Sequence, residues 1–425
     1  MTARPPPPTF AQLFAVFGRI GLLSFGGPAA QIALMHRDLV EERSWLSEDR
    51  FLRALSFCML LPGPEAMQLA TYCGWRMRGT AGGLLAGLLF VLPGAVAIFA
   101  LAWAYSLWGA LPATQALFLG IKATVVVIVL DALHRVARRA LTRPDHWVLA
   151  GAAFLALFAF DLPFPLVIAA AAAWGALARA PEAIDDADPD PAGAPRTGRT
   201  VAIWLTIWLA PVAALWASGA TLLTGIAVFF AKLAVVTFGG AYAVLAYMTQ
   251  EAVEGRGWLT ADQMLDALGL AETTPGPLIL VTQFVGFLAG AGAGGLPLAV
   301  AAALVTLWVT FAPCFLWIFA GAPYLDALSR RPRLKGALAA ITAAVVGVIL
   351  NLSIWFAMHV FFAHIATVTV GPVDMPLPVP NSFSPLATGL AMLAGGVLIG
   401  LRWPLPIVLG LAAAAGLLAG IPAAA

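Results

Sequence analysis

Apolar residues run unbroken for stretches near bilayer thickness along most of this chain, at 82–107, 125–133, 147–160, 166–177, 201–217, 298–320, 337–360, 386–401 and 405–418. Such runs, about 20 residues long with some shorter, predict membrane-spanning helices. They do not alternate as the strands of a membrane barrel would. Two interruptions break the pattern. "FGGP" at Phe25 to Pro28 and "LLPGPE" at Leu60 to Glu65 place turn chemistry inside apolar surroundings. Proline removes a backbone donor and collides with the preceding turn, while glycine tolerates the angles that reverse a chain, so each motif predicts a broken helix.

The interruptions occur twice. An offset of 213 carries Arg19 onto Lys232, Phe25, Gly26 and Gly27 onto Phe238, Gly239 and Gly240, and Pro62, Gly63 and Pro64 onto Pro275, Gly276 and Pro277. Trp45 and Leu46 fall on Trp258 and Leu259 in the same register. After an insertion around "AGAGG" the offset becomes 220, where Pro93 meets Pro313 and Ile121 meets Ile341. The chain therefore reads as a fused duplication. Residues 1–180 form the first repeat, 181–200 a Pro- and Asp-rich cytoplasmic linker, 201–218 a connecting helix and 219–425 the second repeat. Basic clusters at Arg37 to Arg53, Arg76 and Arg78, Arg135 to Arg143, Arg179 to Arg199 and Arg330 to Lys335 would all be cytoplasmic by the positive-inside rule. With one connecting helix, that places the second repeat upside down, the N-terminus inside and the C-terminus outside. The expected fold is an all-α polytopic membrane protein of two inverted repeats of broken and full helices.

Composition agrees. The 425 residues are 61% hydrophobic and 10% charged, with mean hydropathy +0.93, too apolar to coat a soluble globule. A net charge of +2 without a basic stripe excludes nucleic acid as a partner. Cys58, Cys73 and Cys314 lie in apolar runs without metal or dithiol spacing, and His359 and His364 lie off one helical face, so no metal or cofactor is expected. The N-terminus "MTARPPPPTF" lacks the pattern of a cleaved signal peptide.

Inverted repeats with paired Gly/Pro-interrupted segments point to a secondary transporter holding its substrate at the repeat interface. A helix restarting at membrane depth offers unpaired N–H groups and the positive end of its dipole, which suits an anion. The candidate substrate-binding residues are accordingly Gly26, Gly27, Pro28, Pro62, Gly63, Pro64, Gly239, Gly240, Pro275, Gly276 and Pro277, and the same motifs also serve as tight-packing devices. Gln31, Gln68, Thr273 and Thr274 supply neutral donors to an oxyanion or bonds between helices. Arg19 and Lys232 keep a positive charge six residues before each FG. They serve the anion or snorkel to the nearer interface. Lys122, matched by Thr342, has the same two readings. Glu65 is a proton carrier or an ordinary first-turn acid, and Glu272 is the comparable acid of the second half.

The stretches "SFGGPAAQIALMHRDLVEERSWLSEDRFLRALSFCMLLPGPEAMQLATYCGW", beginning at Ser24, and "TFGGAYAVLAYMTQEAVEGRGWLTADQMLDALGLAETTPGPL", beginning at Thr237, resemble the two signatures of the chromate transporter family. The likeness covers both halves, as in its long-chain, two-domain bacterial members. It implies a multi-pass carrier of the bacterial inner membrane. The implied activity is chromate export driven by the proton gradient, as an antiporter conferring chromate resistance, with sulfate as the related dianion. Expected partners are chromate or sulfate, protons, the lipid bilayer and a second copy of the chain. Ala241, Val244 and Leu278 stand where the first copy has Pro28, Gln31 and Glu65, so polar recognition is expected to lean on the first half. Rival readings are an oxyanion uptake carrier and an uncoupled anion channel. An enzyme is not expected, since no cofactor motif is present.

Overall fold

A computed structural model of the chain describes residues 7–178, 197–238, 241–325, 331–370 and 373–420. Gly239, Gly240 and linker residues 181–196 lie outside the described residues. Helices follow as α1 (Phe10–Leu23), α2 (Gly27–His36), α3 (Glu48–Cys58), α4 (Glu65–Trp108), α5 (Pro112–Ala140), α6 (Pro144–Phe158) and α7 (Phe164–Leu177). The second half has α9 (Thr221–Val236), α10 (Ala241–Thr249), α11 (Ala261–Thr273), α12 (Val281–Gly321), α13 (Pro332–Phe361), α14 (Pro385–Gly395) and α15 (Leu405–Gly420). Between the halves, α8 (Thr197–Ala217) takes up residues 197–200 that the sequence assigned to the linker. The chain is an all-α polytopic membrane protein, with α4, α5, α8, α12 and α13 long and apolar enough to cross a bilayer.

Among the described residues, one hairpin stands apart from the helices. Strands β1 (Ile365–Val370) and β2 (Val373–Pro378) pair antiparallel from Ile365 with Pro378 to Val370 with Val373. The alternation in "IATVTV" carries this signal, but six residues between long apolar helices leave it faint.

The two halves run through matching elements. Both α2 and α10 end in a π turn, at Arg37–Glu41 and Gln250–Gly255. A tryptophan N–H then bonds back six residues, Trp45 to the Leu39 carbonyl and Trp258 to that of Ala252. Both long helices reverse sharply. In α4 the reversal is at Arg78 and Gly79, and in α12 it is at Gly294 and Gly295. Gly79 and Gly295 have φ of +62° and +72°, angles that a side chain would oppose.

The chain forms two compact units, each drawing on both halves. The first comprises Met1–Ala100, Arg179–Ala241 and Thr274–Lys335. Here the broken helices of the first half are hairpins. Asp38, past the end of α2, faces Arg19 of α1 at 3.9 Å, so α2 runs back along α1. After α3, Gly63 at φ +115° turns the chain before α4 starts. With 11 residues, α3 is about 16 Å long, half the hydrocarbon thickness. By itself α3 is thus too short to cross the hydrocarbon layer.

Close helix approach in this unit is set by glycine. Gly74 lies on the Gly82 carbonyl across the Gly79 reversal, and Gly290 lies on the Leu298 carbonyl across its counterpart. Gly83 faces Phe319 and Gly87 faces Phe315, so the equivalent helical segments 80–100 and 296–321 run antiparallel. Without a hydrophobic drive in lipid, such small-residue packing is what holds helices together.

The second unit comprises Leu101–Ala178, Tyr242–Thr273 and Gly336–Ala425. In it, Gly120 of α5 meets the Ala412 carbonyl of α15, and Gly416 of α15 meets that of Ala116. Likewise Gly347 of α13 meets the Ala150 carbonyl of α6, and Gly175 of α7 meets that of Gly336. Each half's long helix is thus clasped by the other half's terminal helix pair.

Gly94→Ala tests this packing. Its methyl would press on the Pro275 backbone carbonyl, and overpacking of this kind costs about 1–3 kcal/mol. Thermal unfolding in detergent should show that loss. Gly151→Ala, with nothing within 4 Å, should leave stability within about 0.5 kcal/mol.

Candidate functional site

The site is built where four broken helices meet in the first unit. After α1, the Ser24 hydroxyl donates to the Ile20 carbonyl at 2.6 Å, and Gly26 and Gly27 take φ of +85° and +78° before Pro28 opens α2. Two consecutive left-handed residues require glycine, and Pro28 fits a first turn whose N–H has no helical partner. The equivalent Thr237 hydroxyl donates to the Leu233 carbonyl at 2.6 Å. After α3, Gly63 takes φ +115° between Pro62 and Pro64, and α4 restarts at Glu65. After α11, Gly276 takes φ +91°, and a 3-10 turn at Leu278–Leu280 leads into α12.

The tips are tied to each other across the duplication. The Gly63 N–H donates to the Thr237 carbonyl at 2.9 Å, and the Gly276 N–H donates to the Ser24 carbonyl at 2.8 Å. These are one bond made twice, since Ser24 matches Thr237 and Gly63 matches Gly276. Gln31 adds a brace that the second half lacks. Its buried amide donates to the Gly276 carbonyl at 2.8 Å and the Ser24 carbonyl at 3.3 Å, whereas its counterpart Val244 is an apolar core residue. Gln68 donates to the Pro62 carbonyl at 2.6 Å and steadies the first PGP turn from within.

A cavity lies between the tips, lined by Pro28 and Gln31, by Gly63 to Ala66, and by Thr237 and Pro277 to Ile279. Its walls are the first turns of α2, α4 and the turn leading into α12. Three helix starts carry about +0.5 charge each, and their unpaired N–H groups suit an anion. The cavity's volume is about 20 Å³, enough for one water. A tetrahedral oxyanion would need the tips to part.

Of the residues expected from sequence, the structure gathers Pro28, Gln31, Gly63, Pro64, Glu65 and Pro277 around the cavity, with Gly26, Gly27, Pro62, Gln68, Pro275 and Gly276 in the turns behind it. Among the described residues, no lysine or arginine lines it. Arg19 is half exposed and faces the buried carboxylate of Asp38, which Arg43 also approaches at 3.8 Å. Lys232 lies on an exposed stripe of α9. Thr273 spends its hydroxyl on the Leu270 carbonyl at 2.7 Å, and Thr274 is buried. Lys122 belongs to the second unit, where it pairs with Asp262 and Asp266. Glu272, also there, accepts from the Tyr242 hydroxyl at 2.8 Å. The three cysteines are free and buried, and the described residues contain no group of His, Cys, Asp and Glu able to hold a metal. Sequence reasoning did not single out Thr237 and Ser24, although a hydroxyl before FGG in both halves is a readable signal.

A polytopic helical membrane protein in which interrupted helices turn their N-termini on a buried cavity has the build of a membrane transporter for anions. The chain belongs to the chromate transporter family, whose profile matches residues 11–176 and 224–417. A chromate transport protein of Pseudomonas aeruginosa is 35% identical over 360 residues, covering 82% of this chain and 81% of that one. A probable chromate transport protein of Synechococcus elongatus is 30% identical over 422 residues, 97% and 96% of the two chains. One of Cupriavidus metallidurans is 32% identical over 405 residues, 93% and 94%. No solved structure matches the chain.

Gln31→Leu tests the brace. It leaves the tip carbonyls of Gly276 and Ser24 without this donor, a loss of about 1–3 kcal/mol for buried groups. Thermal unfolding in detergent should fall accordingly.

Proposed function

We propose that this chain exports chromate from a bacterial cell, with protons moving inward, and that the dianion binds among the helix starts of the cavity. The observation that carries the reading is the convergence of the α2, α4 and α12 starts around one cavity in a chain whose relatives are named chromate transport proteins. Backbone N–H groups and dipole ends, rather than side-chain cations, supply the attraction. Arg19 and Lys232 act from farther off. Direction follows partly from charge: an inside-negative potential of 100 mV favours exit of a dianion by about 4.6 kcal/mol. Sulfate shares the shape and charge of chromate, so a sulfate carrier remains the second reading.

Glu65 opens α4 at the cavity wall. Ionised, it occupies the positive helix ends in place of substrate, and it must be displaced or protonated before a dianion binds. Raising the pH keeps it charged and weakens substrate. In Glu65→Gln the half-saturating chromate concentration should therefore stop rising with pH. Inverted vesicles containing the wild type should accumulate chromate, and less of it once the proton gradient is collapsed. Failure to accumulate any would reject export, and equal loss with sulfate as competitor would favour the sulfate reading. Gly63→Ala, strained at φ +115° and pressed against Gln68 and Cys314, should lose transport.

Inverted repeats in the inner membrane complete the proposal. Antiparallel packing of the equivalent segments 80–100 and 296–321 supports it, as does charge. The first reversal carries Arg76 and Arg78, and its counterpart "AGAGG" carries none. The N-terminus then lies inside, the β hairpin and C-terminus outside. Ser44 and Gly257, equivalent loop residues both at positive φ, give the check: Ser44→Cys should react with an impermeant thiol reagent only from the cytoplasm, and Gly257→Cys only from outside.

A further inference from the structure

The second unit contains a buried charged cluster that the anion cavity does not use. Lys122 reaches from α5 with its side chain 8% exposed, and its ammonium lies 2.7 Å from Asp262 and 3.4 Å from Asp266, both on α11. The two acids differ in surroundings. The Asp262 side chain is 72% exposed, whereas that of Asp266 is fully buried. The Tyr105 hydroxyl, near the end of α4, donates to the second oxygen of Asp266 at 2.7 Å. The approach is built in: Gly269, one turn beyond Asp266, leaves room for Ile121 of α5, and so brings Lys122 against the acids.

Two carboxylates thus share one ammonium, and only Asp262 has solvent to help it. A buried carboxylate held by one hydroxyl and a long, shared ion contact is costly in its charged form, and less so once protonated. When Asp266 takes a proton, Lys122 can close on Asp262 alone. When the proton leaves, the ammonium must be shared again. The cluster therefore has two arrangements, chosen by one proton. Among neighbouring elements, His359 of α13 acts on Asp262, and α14 and α15, which pack on α5, bring no ionisable side chain. The repeat-related positions form no such cluster. At the matching positions stand Asp49, Arg53, Leu325 and Thr342, and Asp49 forms an exposed pair with Arg53 at 2.7 Å.

We propose that Asp266 is the proton-binding residue of the transport cycle, with Lys122 and Tyr105 as positioning residues. This deepens the proton-coupled reading above and rests on it. Anion recognition then belongs to the tips of the first unit and proton binding to the second, with Lys122 serving the proton rather than the anion.

The test uses the purified full chain in liposomes and two measurements. One is chromate accumulation driven by an imposed pH gradient. The other is exchange of labelled for unlabelled chromate at equal pH, which needs no net proton movement. Asp266→Asn should lose gradient-driven accumulation by about tenfold or more, on the scale of a strong coupling, and should keep exchange at the wild-type rate at saturating chromate. Gradient-driven accumulation equal to wild type would overturn the proposal, and so would loss of both activities in a protein with a wild-type elution profile. If Asp266→Asn does not fold, Asp266→Glu decides: coupling retained with a displaced pH dependence supports a proton site, and loss of exchange together with coupling rejects it. A wild type that exchanges but ignores the pH gradient would instead reject proton coupling itself.

Discussion

Everything in the first unit depends on two backbone hydrogen bonds, from Gly63 to Thr237 and from Gly276 to Ser24. Broken helices at membrane depth leave N–H and C=O groups that lipid cannot satisfy, so irregular backbone survives there only where protein supplies the partners. In this chain each half supplies them to the other. The Gly63 and Gly276 N–H groups both find their acceptors in the opposite repeat. The Gly-lined contacts that let tips and helices approach, Gly94 on Pro275 above all, are consequences of that requirement.

The exchange is symmetric, but the chemistry attached to it is not. Gln31 and Glu65 furnish polar groups at the tips of one half, where the other has Val244 and Leu278. The second half instead places Asp266 where the first has Arg53, and Lys122 of the first half faces it. Duplication provided two equivalent scaffolds, and substitution made them chemically unequal. The backbone bonds are untouched by this divergence, because main-chain groups do not depend on which side chains are kept.

The broken helices, their pairing by a constant offset and the membrane class are legible in the residues themselves, because Gly and Pro act through local backbone geometry. Six of the proposed site residues line one cavity for that reason. The charged residues are less legible. Arg19 and Lys122 both sit in apolar runs, yet Arg19 is half exposed beside Asp38 and Lys122 is buried between acids. Which face of a helix a residue takes, and what meets it, depends on neighbours outside its own helix, 19 positions away for Arg19 and 140 for Lys122. The β hairpin at 365–378 is weakly signalled because its alternation is brief.

By itself, then, the sequence determined a membrane protein of duplicated, interrupted helices, since hydropathy and chain reversal are properties of short segments. Only the tertiary structure decided that the interruptions bond to one another across the duplication, that helix starts rather than arginine and lysine face the cavity, and that Lys122 belongs to a carboxylate cluster. Those outcomes rest on contacts between distant segments. A backbone donor's partner, or a charge's counter-ion, is not written in the residues beside it.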